Sequence, residues 1–127
     1  MLSDLTEALE PLGYTVYDTD VPEQPTFPYI VVWGGESRPH VESPLSDRIL
    51  GVDDRVGVTI AAGTPEGVRI AHERTRSVLQ PGGFPVEVDG FILKLIDHMP
   101  VEVDRKEYIT GTNRHPAFCV DIYKALK

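Results

Sequence analysis

A helix with both ends marked lies in the middle of the chain, between segments that alternate like strands. Thr64-Pro65-Glu66 supplies an N-cap residue, a proline at the first helical position and an acid in the first turn. Pro81-Gly82-Gly83 stops it, so the expected helix runs from Pro65 to Leu79. At about 100° per residue, Val68, Ala71, His72, Thr75, Val78 and Leu79 form one stripe, and Glu66, Arg69, Glu73 and Arg76 form a wet face. Ile70 falls roughly 140° from the centre of the stripe and is expected at the surface. Just before the helix, Val56, Val58 and Ile60 alternate with Arg55, Gly57, Thr59 and Ala61. That is a strand whose second face, built of small residues, admits a close neighbour.

The rest of the chain reads as one more helix and further strands, with no internal repeat. Leu2, Leu5, Leu9 and Leu12 recur at helical spacing. Ser3 reads as the N-cap, and Pro11 and Gly13 as the stop of a short amphipathic helix over about residues 3 to 11. Residues 14 to 18 are rich in strand formers. The proline-punctuated run from Val21 to Pro28 makes a stiff extended link. Tyr29-Ile-Val-Val-Trp33 is apolar on both faces and reads as a central strand, ended by Gly34-Gly35. Glu36 to Asp47 is a long polar connection punctuated by Pro39 and Pro44. After the second helix, Val86–Val88 and Phe91–Ile96 flank Asp89-Gly90, a hairpin signal. Pro100 is expected to close the second of these strands near Met99, with a short separate strand over 101 to 103. A last strand covers Ala117 to Tyr123. The order α-β-β-β-α-β-β-β points to an α+β fold. It is expected as one domain over residues 1–127, a two-layer sandwich of a mostly antiparallel or mixed sheet with two helices packed on one face.

Composition narrows the function. The chain has 127 residues, one cysteine and a formal net charge of −8. A lone Cys119 makes no intrachain disulfide and no cysteine-rich zinc site. An acidic chain repels nucleic-acid backbones, and Arg105-Lys106 is too short for a binding patch. The opening Met1-Leu2-Ser3-Asp4 does not read as a secretory signal, and no apolar run suits a membrane span. Catalytic motifs are empty. His72-Glu73 lacks the second histidine of a zinc-protease motif, because Arg76 stands in its place. Gly63-Thr-Pro-Glu-Gly67 lacks the lysine of a phosphate loop. His40, His72, His98 and His115 fall on a loop, a helix, a strand end and a loop, with no spacing that unites them. His72 reads as a helix-edge residue with one ring nitrogen in water, and Cys119 as a half-buried thiol. The expectation is therefore no catalytic residue, no cofactor and no metal. What remains are surface residues suited to docking. Arg38, His40, Val41, Leu45 and Arg48 lie in or beside the long connection, where positive charge in an acidic chain would attract another acidic subunit. Ile70, Arg105 and Lys106 complete the candidate interface.

Taken in order, these segments are familiar. The N-terminal amphipathic helix is followed by Pro28-Tyr29-Ile30-Val31-Val32-Trp33-Gly34, a polar loop and the strand Arg55–Ala61. Next come Gly63-Thr64-Pro65, a helix carrying Val68, Ala71, Val78 and Leu79, and the closing run from His115 to Tyr123. The whole chain resembles the tail terminator, or tail completion, proteins of long-tailed phages, specifically those infecting actinobacteria. That resemblance implies a structural virion protein rather than an enzyme. It implies a ring of identical subunits, typically a hexamer, that caps the tail tube, ends its polymerisation and joins the tail to the head connector. The implied partners are the chain itself, the major tail tube protein and the connector protein. DNA would pass through an acidic lumen without sticking, and no membrane is involved. The implied location is the virion tail or neck, and the host cytoplasm during assembly. Two alternatives are a stopper or adaptor of the head–tail connector and, more remotely, a small enzyme with its site at a subunit interface.

Overall fold

The structure is a computed structural model that describes residues 2–22, 25–34, 54–88, 90–106, 109 and 114–126. Helix α1 spans Leu2–Leu9 and tightens into a 3-10 turn, Glu10–Leu12, that ends on Gly13 at φ 84°. This left-handed stop is where a glycine is favoured. The helix begins at Leu2, so Ser3 lies inside the first turn rather than before it. Strands β1 (Thr15–Asp18), β2 (Tyr29–Gly34) and β3 (Asp54–Ala62) follow, then helix α2 (Pro65–Leu79). The chain continues through β4 (Val86–Val88), β5 (Phe91–Val103) and β6 (Ala117–Leu126). Among the described residues, this is the order of elements expected from the sequence. The Thr64 side chain accepts the Gly67 amide at 3.0 Å, satisfying one of the orphan donors that make a cap worth about 1 kcal/mol.

The six strands form one mixed sheet in the order β1-β2-β3-β6-β5-β4, curled into a half-barrel. Among the described residues, only β1 and β2 are parallel. Ten residues, 19 to 28, separate the end of one from the start of the other. A single buried cluster joins Leu5 and Leu9 of α1 and Val68, Ala71 and Leu79 of α2 to the strands. The strand contribution includes Ile30, Val32, Val56, Val58, Ile60, Leu93, Cys119 and Tyr123. The α2 stripe is thus buried as its spacing requires, and Val56, Val58 and Ile60 are the sheet residues in the same cluster. Truncating Ile60 to alanine should cost about 2–5 kcal/mol, read as a lower urea midpoint with an unchanged slope.

Two features depart from the sequence reading, at Pro100 and at Arg76, and one at Gly57 gives an expected contact its partner. Pro100 does not close a strand near Met99. β5 runs on to Val103, and the expected separate strand over 101–103 is its continuation. The ladder absorbs Pro100 at a register shift between Met99 and Glu102, where an extra residue leaves one position unpaired and a missing amide donor costs least. The small residues on the outer face of β3 admit a close neighbour, as expected, and it comes from the chain itself. Trp33 lies against Gly57, its cross-strand partner, and its indole N–H donates to the Thr59 hydroxyl at 3.0 Å. A Cβ at Gly57 would run into the Trp33 ring. Gly57→Ala should therefore displace the chain's single tryptophan, costing about 1–3 kcal/mol. A shifted emission maximum in the folded variant checks this. Arg76 leaves the wet face of α2 for a buried carboxylate on β6. The connection from Glu36 to Asp47, with Arg38, His40, Val41, Leu45 and the flanking Arg48, lies outside the described residues.

Candidate functional site

Strand β6 carries a carboxylate on the face that builds the core. Ala117, Cys119, Asp121, Tyr123 and Ala125 are all buried, and Asp121 is 0 % exposed. A carboxylate in such a place costs several kcal/mol unless its oxygens are matched by donors. Four N–H groups provide the match. Arg76 closes on both oxygens, Nε to Oδ2 at 2.9 Å and Nη2 to Oδ1 at 3.0 Å. His72 Nε2 lies 2.8 Å from Oδ2, and His98 Nδ1 lies 2.6 Å from Oδ1. The Tyr123 hydroxyl is 3.5 Å from Oδ2, too long for a strong bond. The two imidazoles stack on each other, ring centres 4.9 Å apart and planes 24° apart.

Each donor is placed by a local feature of the chain. His72 and Arg76 are four residues apart on α2 and so share one side of the helix. Arg76 also stands in the last turn, where the helix dipole favours a cation. His98 owes its position to a bulge. Leu93 pairs with Ala125 and Leu95 with Tyr123, so odd-numbered residues of β5 face the core. An unbroken ladder would set Asp97 opposite Asp121, one carboxylate against another. The register shift between Leu95 and Asp97 inserts a residue at Ile96 and pairs His98 with Asp121 instead. Asp97 turns its carboxylate to the His98 amide, at 2.8 Å.

The electrostatics follow from this geometry. Burial alone would raise the Asp121 pKa, but bonds from His72 and Arg76, charge on His72 and the bond from His98 outweigh it. The group is held well below the usual carboxylate range. An ionised carboxylate only accepts, so the protons on these contacts belong to His72 Nε2 and His98 Nδ1. Burial, and then the Asp121 charge, push the Cys119 thiol up to about 12, which leaves it protonated and inert as a nucleophile. Tyr123 is raised for the same two reasons.

Sequence reasoning set the four histidines apart. The fold brings His72 and His98 together, and Arg76 with them, instead of leaving that arginine among the solvated charges of α2. The i, i+4 spacing of His72 and Arg76 is the one signal of this in the sequence.

The docking candidates divide differently. Ile70 is exposed on α2, as its angle requires, and Arg105 and Lys106 are exposed in the turn after β5. Sequence reasoning missed further exposed apolar residues. Ile92, Ile96, Met99 and Val103 of β5 and Leu126 of β6 are all exposed, and Ile92 and Leu126 are direct cross-strand partners. β4 pairs only with Phe91 to Leu93. Among the described residues, no strand pairs with the outer edge of β5 from Lys94 to Val103. Among the same residues, no helix is long and apolar enough to cross a membrane. No protein-family model matches the chain, and no curated protein matches it.

Proposed function

We propose that the chain is a structural subunit of a homo-oligomeric ring, typically a hexamer, that caps the tail tube of a long-tailed phage. The ring ends tube polymerisation and joins the tail to the head connector. The observation that carries this reading is the outer half of β5, a long strand that pairs with no other strand along one edge among the described residues, with Ile96 and Met99 exposed along it. An apolar surface of this kind on a small domain marks a contact with another protein. Asp97 occupies the His98 amide and Pro100 has none to offer. This edge is therefore guarded against indiscriminate strand addition and suits side-chain docking to a defined partner. Closed rings use two different patches. The second is assigned to the exposed side of α2 around Ile70, with Arg105 and Lys106 drawing in an acidic neighbour.

In this reading the subunit is a two-layer sandwich with both helices on one sheet face. The tube or the connector would meet the exposed residues at the far edge of the sheet. The segment 36–47, with Arg38, His40, Val41, Leu45 and the flanking Arg48, serves as an arm to the neighbouring subunit or the tube. The net charge of −8 makes a lumen that repels passing DNA. The protein works in the virion tail or neck and, before that, in the host cytoplasm, without catalysis.

Electron microscopy of a lysate tests the role directly. Deleting residues 38–46 should leave a folded subunit yet give tails of uncontrolled length unattached to heads. Normal tails joined to heads would remove the arm from the account. Uniform tails without heads, in a lysate lacking the whole protein, would favour a connector stopper or adaptor instead.

A further inference from the structure

We propose that His72, His98 and Asp121 form a binding site for a single first-row divalent transition-metal ion of the Zn2+ class. One ligand atom from each lies within 4.8 Å of the others. Two imidazoles and one carboxylate suit zinc, cobalt or nickel, whereas calcium and magnesium favour sites built of oxygen alone. The three residues come from α2, β5 and β6, elements packed against one core. The site is therefore set by the fold and needs no loop to close.

Asp121 is ready to serve as a ligand because it stays ionised. Arg76 grips both oxygens, and each carboxylate oxygen has a second lone pair. The positions those lone pairs reach are the ones His72 and His98 now fill. Metal entry exchanges the two N–H···O contacts for metal bonds. In a neutral ring the proton leaves His72 Nε2 for Nδ1, or His98 Nδ1 for Nε2, and the freed lone pair binds the ion, with no net change in protons. The 2.8 and 2.6 Å separations open by roughly half an ångström or a little more, to the roughly 3.3 Å between ligands held at about 2.0–2.1 Å. Both imidazoles are partly exposed. This gives the ion a path and leaves its remaining coordination to water. Arg76 then acts as the partner that orients the carboxylate. Its positive charge works against the ion, so affinity on the order of micromolar is expected rather than that of a closed structural zinc site.

The test is calorimetric titration of the chelator-stripped full chain with Zn2+, and with Co2+ for its visible absorption. Expected are one ion per chain, a Co2+ spectrum of low coordination number and a rise in Tm of several degrees at saturation. His98→Gln and His72→Gln should each weaken binding by roughly tenfold or more, and His115→Gln should leave it unchanged. His98 is the more exposed of the two imidazoles, so its variant decides the matter if His72→Gln fails to fold. Failure of the wild type to bind, or binding that His98→Gln does not weaken, would overturn the proposal. Neither result depends on whether the chain forms a ring.

Discussion

Asp121→Ala should be among the most damaging single substitutions in the chain. Removing one member of a buried ion pair costs about 3–5 kcal/mol, because the partners are left with buried, unmatched donors. Arg76 is about a third exposed and can turn part of its charge to water, so the loss should fall near the lower end. Asp121→Asn keeps the volume but turns two N–H groups toward donors already there, and should also destabilise. Urea unfolding of chelator-treated protein at neutral pH reads both. The pH dependence carries a separate signature. Asp121 titrates near pH 4 in the unfolded chain and well below that in the folded one. Its stabilising contribution is complete above about pH 4 and is lost as the pH falls below that. The wild type should lose stability through this acid window more steeply than Asp121→Asn. Parallel curves for the two proteins would mean that the carboxylate is not matched by these donors.

The second large effect concerns assembly. Ile96→Asp combined with Met99→Asp should abolish ring formation while leaving the fold intact. Both side chains are exposed in the subunit, so the substitutions cost the monomer little. Buried in an interface, each new carboxylate would be desolvated without a partner. Disrupting a central interface residue in this way costs about 2 kcal/mol or more, over tenfold in association. The readout is oligomeric mass beside an unchanged Tm. A variant that still assembles would move the interface elsewhere on the surface.

The residues that the sequence made legible act through their near neighbours. Thr64-Pro65 starts α2, Gly13 ends the first helical segment, and Gly90 at φ 76° leads into β5, each through backbone preferences that hold wherever the segment sits. Ile70 was placed at the surface by its angle alone. The Asp121 cluster was hidden because it depends on parity. Strict alternation along β5 puts Asp97, not His98, on the core face, and only the bulge at Ile96 reverses them. The path through Pro100 was missed for a related reason, since a second bulge lets a proline sit within a strand. β6 adds its own difficulty. Its more apolar face, Phe118, Val120 and Ile122, is opposite the one that joins the core cluster with Cys119 and Tyr123. A charged residue on the face of small and polar residues therefore gives no hint of being buried.

The mass of the purified protein, measured alone and with the proposed tail tube partner, tests the central claim most directly. The account predicts a closed ring on the tube, a fixed small multiple of the 14.1 kDa subunit, most simply six. That ring should disappear in the Ile96→Asp, Met99→Asp variant. A protein that stays monomeric at every concentration, and adds to the tube as a single copy, would contradict it.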